Sequence, residues 1–144
     1  QRNMFQYRFY CYEFKGYSKV ICSTQDYFQA NMDLLNPDVK TQLFQPDKPI
    51  YTKVRDDMPA RYGLGSNVNQ CVIEGEVQNS ILFRGVKIAK GAKLKNCVIM
   101  QDTCVGTDCN LQNVITDKDV MIQDGRSFMG TDTYPVFISK GSIV

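Results

Sequence analysis

The side chains that could do chemistry here are cysteines, carboxylates and cations, because the chain contains no histidine. None of its six cysteines is spaced as a CxxC pair. Structural zinc sites need such pairs or added histidines, so the sequence excludes a Cys/His zinc site and predicts no metal or other cofactor in this stretch. We expect reduced, mostly buried thiols in a cytoplasmic protein. Whether Cys104 and Cys109 ever oxidise stays open.

The carboxylates are scattered, and none of them forms a spaced pair suited to acid/base catalysis. We therefore expect solvated turn residues and no catalytic residue. The carboxylates in question are Asp56, Asp57, Asp102, Asp108, Asp117, Asp119 and Asp124.

Cations crowd one stretch, which runs from Arg84 through Lys87, Lys90 and Lys93 to Lys95, and Lys118 follows later. The net charge is only +2, and no apolar run is long enough for a membrane span, so we expect neither nucleic acid nor a membrane as partner. Two interpretations remain: a solvated face, or a site for an anionic effector such as a sugar phosphate or nucleotide. The candidate effector-binding residues are Lys118, Arg84 and Lys87.

The elements that must position these residues repeat every 17 positions from Val77 onward. The columns are Val77/Leu94/Leu111, Asn79/Asn96/Asn113, Ile81/Val98/Ile115 and Ile88/Val105/Ile122. Within a row, aliphatic residues recur every five or six positions, which is too sparse for a helix face or an ordinary strand. The pattern predicts a parallel β-solenoid with aliphatic columns pointing inward and an asparagine column bonding coil to coil. Its tight corners would need the permissive φ of Gly85, Gly91, Gly106 and Gly125.

The first 54 residues predict a different mixture of elements. Alternation favours strands at Tyr7–Phe14, Ser18–Cys22 and Ile50–Val54. Ser23 is a typical helix N-cap, and Asn36-Pro37 ends that helix and begins a second.

Two phrases, Ile88–Lys93 and Val105–Asn110, resemble the hexapeptide repeats of left-handed β-helices. Three others, Tyr27–Leu35, Cys71–Val77 and Asn79–Val86, resemble the C-terminal third of the glucose-1-phosphate adenylyltransferase family of glycogen synthesis. The resemblance implies a mainly β fold, a left-handed parallel β-helix preceded by an α/β remnant of the nucleotidyltransferase domain. It supplies the handedness, which the spacing alone does not fix.

One departure from the family pattern concerns catalysis. Catalytic members carry Gly-Tyr-Trp-x-Asp-Val-Gly-Thr, whose Asp helps hold magnesium, whereas this chain has Ser18 and Val20 at the Trp and Asp positions. Valine cannot ligate a hard cation. The chain therefore resembles the GlgD-type regulatory subunits, and Mg and ATP belong to the full enzyme. By the same resemblance, Lys118 falls where catalytic relatives have a basic residue that contacts an effector phosphate.

The implied organisation is a nucleotidyltransferase remnant with a helix at 1–45, a linker with one strand at 46–66, and a capped β-helix at 67–144. We expect Tyr134–Ile138 to be a strand that covers the open end. The implied function is oligomerisation and allosteric regulation, with a catalytic adenylyltransferase subunit or another copy as partner, and the start without methionine suggests a fragment. One alternative is a piece of an active nucleotidyltransferase. A hexapeptide acyltransferase is less favoured, because its histidine base is absent.

Overall fold

The computed structural model describes residues 8, 10–51, 67–68 and 72–144, and its main body is a parallel β-solenoid. Its strands are two or three residues long. They are β1 Asn67–Val68, β2 Val72–Ile73, β3 Glu76–Gln78, β4 Ile81–Leu82, β5 Lys87–Ile88, β6 Lys93–Lys95, β7 Val98–Ile99, β8 Cys104–Val105, β9 Asn110–Gln112, β10 Val114–Thr116, β11 Met121–Ile122, β12 Ser127–Met129 and β13 Val136–Ile138.

The strands stack into three parallel sheets, one for each side of the coil. Sheet A has the order β1-β4-β7-β10-β13, sheet B the order β2-β5-β8-β11, and sheet C the order β3-β6-β9-β12. From β3 to β12, paired residues are 17 positions apart, as Val77 with Leu94 and Leu94 with Leu111 show. The predicted solenoid and its repeat length are therefore confirmed.

Two of the three aliphatic columns line the interior as predicted. Leu94 and Leu111 in sheet C, and Ile88 and Ile122 in sheet B, are at most 1% exposed and belong to one continuous core cluster. Stacking these residues coil on coil removes their apolar surface from water, which is the main favourable contribution to folding.

The third column faces outward, so the prediction that it points into the coil is wrong. Val98 and Ile115 pack against Phe28 of the first helix, while Ile99, the next residue after Val98, enters the interior core. Successive side chains of a strand point to opposite faces, so two adjacent apolar residues leave the sequence ambiguous about which one points inward. At Val98 and Ile115, both faces of sheet A are buried, one by the solenoid and one by the helix.

Two helices precede the solenoid: α1 spans Thr24–Asp33 and α2 spans Pro37–Leu43. Both predicted caps are confirmed. The Ser23 hydroxyl accepts the Asp26 amide at 3.0 Å, and the Asn36 side chain accepts the Asp38 amide at 2.9 Å. These bonds satisfy amides that the first helical turn cannot pair.

The predicted N-terminal strands are wrong wherever the structure describes them. Residues 10–22 and 50–51 contain no strand, while residues 1–7, 9 and 52–54 lie outside the described residues. Tyr10 and Tyr12 are 83% and 88% exposed. Alternating side chains favour an extended chain, but a strand also needs a neighbouring strand for its backbone hydrogen bonds.

The corners of the coil use the left-handed backbone region. Gly91 has φ +79°, and a Cβ there would also collide with the Asp108 carboxylate of the next coil. The corner prediction is wrong for Gly106, whose φ is not positive; there an added Cβ would meet the backbone and carboxylate of Asp124. Several corners are non-glycine residues with positive φ, namely Asn79, Asn96, Asp102, Asp108, Asn113 and Asp119. Asn and Asp tolerate this region better than other side chains.

The asparagine column bonds from coil to coil in part. Asn79 donates to the Asn96 side-chain oxygen at 2.7 Å, and Asn113 donates to the Gly130 carbonyl at 3.1 Å. The side-chain oxygen of Asn113 is buried without a hydrogen-bond partner.

The end of the chain extends the solenoid. β13 pairs in parallel with β10, 22 positions earlier, because an additional turn at Thr131–Tyr134 precedes it. The expected final strand is present as β13, which continues sheet A, and its Val136 and Ile138 pack against the solenoid core.

Candidate functional site

Arg84 and Lys118 lie in one column at the corner between sheets A and B. The Asp102 amide bonds to the Arg84 carbonyl at 3.2 Å, the Asp119 amide to Gln101 at 3.0 Å and the Gly141 amide to Lys118 at 3.1 Å. Strands of a sheet are about 4.8 Å apart, so the backbones of Arg84 and Lys118, two coils apart, are separated by about 10 Å. This corner is the part of the predicted site that the fold brings together.

Lys87 and the other lysines are distributed around the coil. Lys87 is exposed on sheet B, three residues beyond the corner, whereas Lys93 and Lys95 are on sheet C. Lys90 and Lys93 line a groove of about 650 Å³ that also contains Glu74, Glu76 and Asp108. The run of cations in the sequence therefore forms no single basic patch.

Carboxylates accompany the basic corner. Asp119 forms an exposed ion pair with Lys140 at 3.7 Å, and Asp117 accepts the backbone amide of Lys118 at 2.7 Å. An exposed pair of this kind contributes little to stability. The negative charge of Asp117, beside Lys118, offsets the local positive field. Anion binding here would therefore depend on direct contact with the Arg84 and Lys118 side chains.

A groove of about 610 Å³, the N-terminal groove, lies beside this corner, between the start of α1 and sheet A. Its lining includes Ile21, Cys22, Tyr27, Met100, Asp117 and Phe137. Burial raises the pKa of Tyr27, and the negative charge of Asp117 also raises it. No sequence pattern indicated this groove, because its walls come from distant segments, residues 21–27 on one side and Met100, Asp117 and Phe137 on the other.

The cysteines of the solenoid are structural. Burial raises the pKa of Cys97 to about 11, and its thiol donates to the Lys95 carbonyl at 3.2 Å. Cys109 is buried and donates to the Gln123 carbonyl. Cys104 is half-buried and Cys11 and Cys22 are exposed, so among the described cysteines the expectation of buried thiols is confirmed for Cys97 and Cys109. A thiol with a raised pKa is a poor nucleophile at neutral pH. In the described part of the chain, no three cysteine or acidic residues are grouped to hold a metal ion.

Comparison with known proteins settles the family. The family model of the GlmU-like C-terminal hexapeptide matches residues 60–134, just over half of the chain. The chain belongs to this family. Its solenoid is accordingly a hexapeptide-repeat β-helix, and the expected left-handed fold class is confirmed.

Individual relatives refine this assignment. The chain is 48% identical over 138 residues to the glycogen biosynthesis protein GlgD of Bacillus subtilis (strain 168), which covers 92% of this chain and 40% of that protein. It is 56% identical over 69 residues to GlgD of Geobacillus stearothermophilus, covering 44% of this chain and 20% of that protein. It is 31% identical over 139 residues to glucose-1-phosphate adenylyltransferase of Bacillus cytotoxicus, covering 90% of this chain and 37% of that enzyme.

These matches confirm the resemblance to the adenylyltransferase family and to its GlgD-type members. The chain spans about two fifths of the length of the Bacillus subtilis relative. None of the helices in the described residues is long and apolar enough to cross a membrane.

Proposed function

We propose that this chain is the β-helix module of a GlgD-type subunit in glycogen biosynthesis, serving assembly and allosteric regulation without carrying catalysis itself. The observation that carries the proposal is the 48% identity to GlgD across 92% of the chain, against 31% to an adenylyltransferase over a similar length. Val20 at the position of the family's magnesium-binding Asp supports it, because valine offers no oxygen ligand.

The proposed partner is a catalytic adenylyltransferase subunit, and sheet B is the proposed contact surface. The middle of sheet A, at Val98 and Ile115, is covered by α1, and the outward residues of sheet C are mostly polar. On sheet B the outward column runs through Val72, Lys87, Cys104, Met121 and Ile143. Its aliphatic and methionine members, Val72, Met121 and Ile143, are 59%, 50% and 66% exposed. Exposed apolar side chains aligned on one flat face favour a protein contact.

Co-purification of the subunit with the catalytic adenylyltransferase tests this contact. Met121→Glu places a negative charge among the exposed apolar residues of this column and should reduce recovery of the complex. Ser127→Glu adds the same charge on sheet C and should leave recovery unchanged. Equal recovery with both variants would remove sheet B as the contact surface.

The proposed effector site is the corner of Arg84 and Lys118, with Lys87 beside it. Its ligand class is a sugar phosphate or nucleotide, because guanidinium and ammonium groups bind phosphate oxygens through charge-assisted hydrogen bonds. Lys118→Ala and Arg84→Ala should weaken the effector response of the assembled complex, whereas Lys95→Ala on sheet C should not. An unchanged response in the first two variants would exclude this corner.

The second candidate is a catalytically active nucleotidyltransferase that tolerates Val20. The 31% identity to an adenylyltransferase favours it. The full subunit, assayed alone, separates the two: the regulatory proposal expects almost no ADP-glucose from ATP and glucose 1-phosphate. Substantial synthesis by the subunit alone would establish the second candidate instead.

A further inference from the structure

The segment from Tyr17 to Ser23, here called the strap, is fastened at both ends by carboxylates of α1. Asp33 accepts hydrogen bonds from the Tyr17 hydroxyl and the Lys19 ammonium, each at 3.0 Å. Asp26 accepts the Cys22 amide at 3.2 Å and the Ser23 hydroxyl at 2.7 Å. Since Asp33 ends the helix and Asp26 lies in its first turn, the strap runs antiparallel to α1 along its length.

Asp33 occupies a position that the helix itself disfavours. It is the last residue of α1, whose final turn contains no basic residue. A carboxylate there faces the negative end of the helix dipole. Asp33 is stabilised instead by three donors, the third being the Gln29 side-chain amide at 2.9 Å, and these donors and the Lys19 charge hold its pKa below the usual value.

Polar contacts hold the strap more than packing does. Val20 and Ile21 are 77% and 54% exposed. Of the described residues, the two apolar clusters contain no member of the strap. With little apolar surface buried, the attachment depends on a few partly exposed hydrogen bonds and one ion pair, each of modest strength.

The strap also divides two grooves. Ile21 lines the N-terminal groove together with Tyr27 and Phe137. It also lines a second groove of about 290 Å³, at the other end of α1, together with Tyr17 and Leu34. Displacing the strap would therefore open the wall that these grooves share.

We propose that the strap is a conformational device that detaches from α1 as a unit, that Asp33 is its latch, and that detachment joins the two grooves. The attachment of the strap rests on contacts within residues 17–33, so the device is independent of the proposed regulatory function. Loss of the latch contacts should raise the detached population by about 5- to 30-fold, the factor that corresponds to one or two kcal/mol.

Limited trypsin digestion of the full chain measures this population. Trypsin must take the Lys19 side chain into its own specificity pocket, so cleavage after Lys19 requires release from Asp33. Asp33→Ala should accelerate that cleavage by about 5- to 30-fold, while cleavage after Lys140, which is exposed in the turn after β13 and followed by glycine, serves as the internal reference. Asp38→Ala on α2, also a loss of one carboxylate, should leave both rates unchanged.

Two results would refute the proposal that Asp33 holds the strap. Cleavage after Lys19 that is unaffected by Asp33→Ala would show that this carboxylate does not hold the strap. Equal acceleration at Lys19 and Lys140 together with a lower melting temperature would make Asp33 a general structural residue. Tyr17→Phe, which removes one of the three donors, should give a smaller acceleration than Asp33→Ala.

Discussion

Replacing Ile88 by aspartate tests the arrangement of the solenoid core. Ile88 is 1% exposed and lies in register between Ile73 and Val105 of the adjacent coils. Losing a buried isoleucine side chain costs about 2–5 kcal/mol, and a buried polar group without a partner costs about 1–3 kcal/mol more. The sum, about 3–8 kcal/mol, is comparable with the whole free energy of unfolding of an ordinary domain, about 5–15 kcal/mol.

The neighbouring residue provides a matched control. Lys87 belongs to the same strand but faces solvent, so Lys87→Asp introduces the same side chain on the opposite face. Both variants lose about 1 kcal/mol or less of stability through the low strand propensity of aspartate, but only Ile88→Asp also buries a charge. Urea unfolding followed by circular dichroism gives both free energies of unfolding.

The pH dependence adds a second criterion. Burial would raise the folded-state pKa of the new carboxyl in Ile88→Asp, so the folded protein would bind more protons than the unfolded chain. The stability deficit relative to wild type should therefore shrink as the pH falls from 7 towards about 4, the unfolded value. Equal unfolding free energies for Ile88→Asp and Lys87→Asp would refute the inward assignment of this column.

Two further predictions concern α1. Phe28 packs against Val98 and Ile115 and is 3% exposed, so Phe28→Ala should weaken attachment of the helix by about 3–5 kcal/mol. Amide hydrogen exchange should accelerate in α1 but not in the solenoid, and Gln25→Ala, at an exposed position of α1, should change neither. Equal acceleration in α1 and in the solenoid would contradict the outward packing of Val98 and Ile115. Hydrogen bonds from the Ser23 hydroxyl, the larger effect, and from the Cys22 amide lower the pKa of Asp26 in the folded protein. The ionised Asp26 therefore stabilises the helix start at any pH above its unfolded pKa of about 3.9, and this stabilisation is lost as the pH falls through its folded pKa. Ser23→Ala should cost about 1 kcal/mol at pH 7 and progressively less in acid, as measured by helix content; a cost independent of pH would contradict the role of Asp26.

Local and periodic signals predicted much of this fold. The Ser23 and Asn36 caps could be recognised because each involves only its near neighbours in sequence. The 17-residue period placed Leu94 over Val77, because every coil repeats the same register. Arg84 and Lys118 are two such periods apart, so the repeat also implied their shared corner.

Features that depend on distant neighbours could not be predicted. The pair Val98-Ile99 is apolar at both positions, so the inward residue was decided by where Phe28 packs. The alternation at Tyr10–Phe14 indicated an extended chain but carried no information about a pairing partner. For the N-terminal groove, Ile21 and Phe137 have no sequence pattern in common.

The 17-residue spacing also has a consequence for folding kinetics. Parallel sheets ordinarily form slowly, because their strands are joined by long crossovers whose closure entropy precedes any contact. Here, from β3 to β12, the partner of each strand lies 17 residues away in a chain of 144, which corresponds to a relative contact order of about 0.12, in the range of mixed α/β domains. The solenoid can therefore grow by adding one coil at a time to a formed edge, and it should fold faster than its all-parallel strand content suggests.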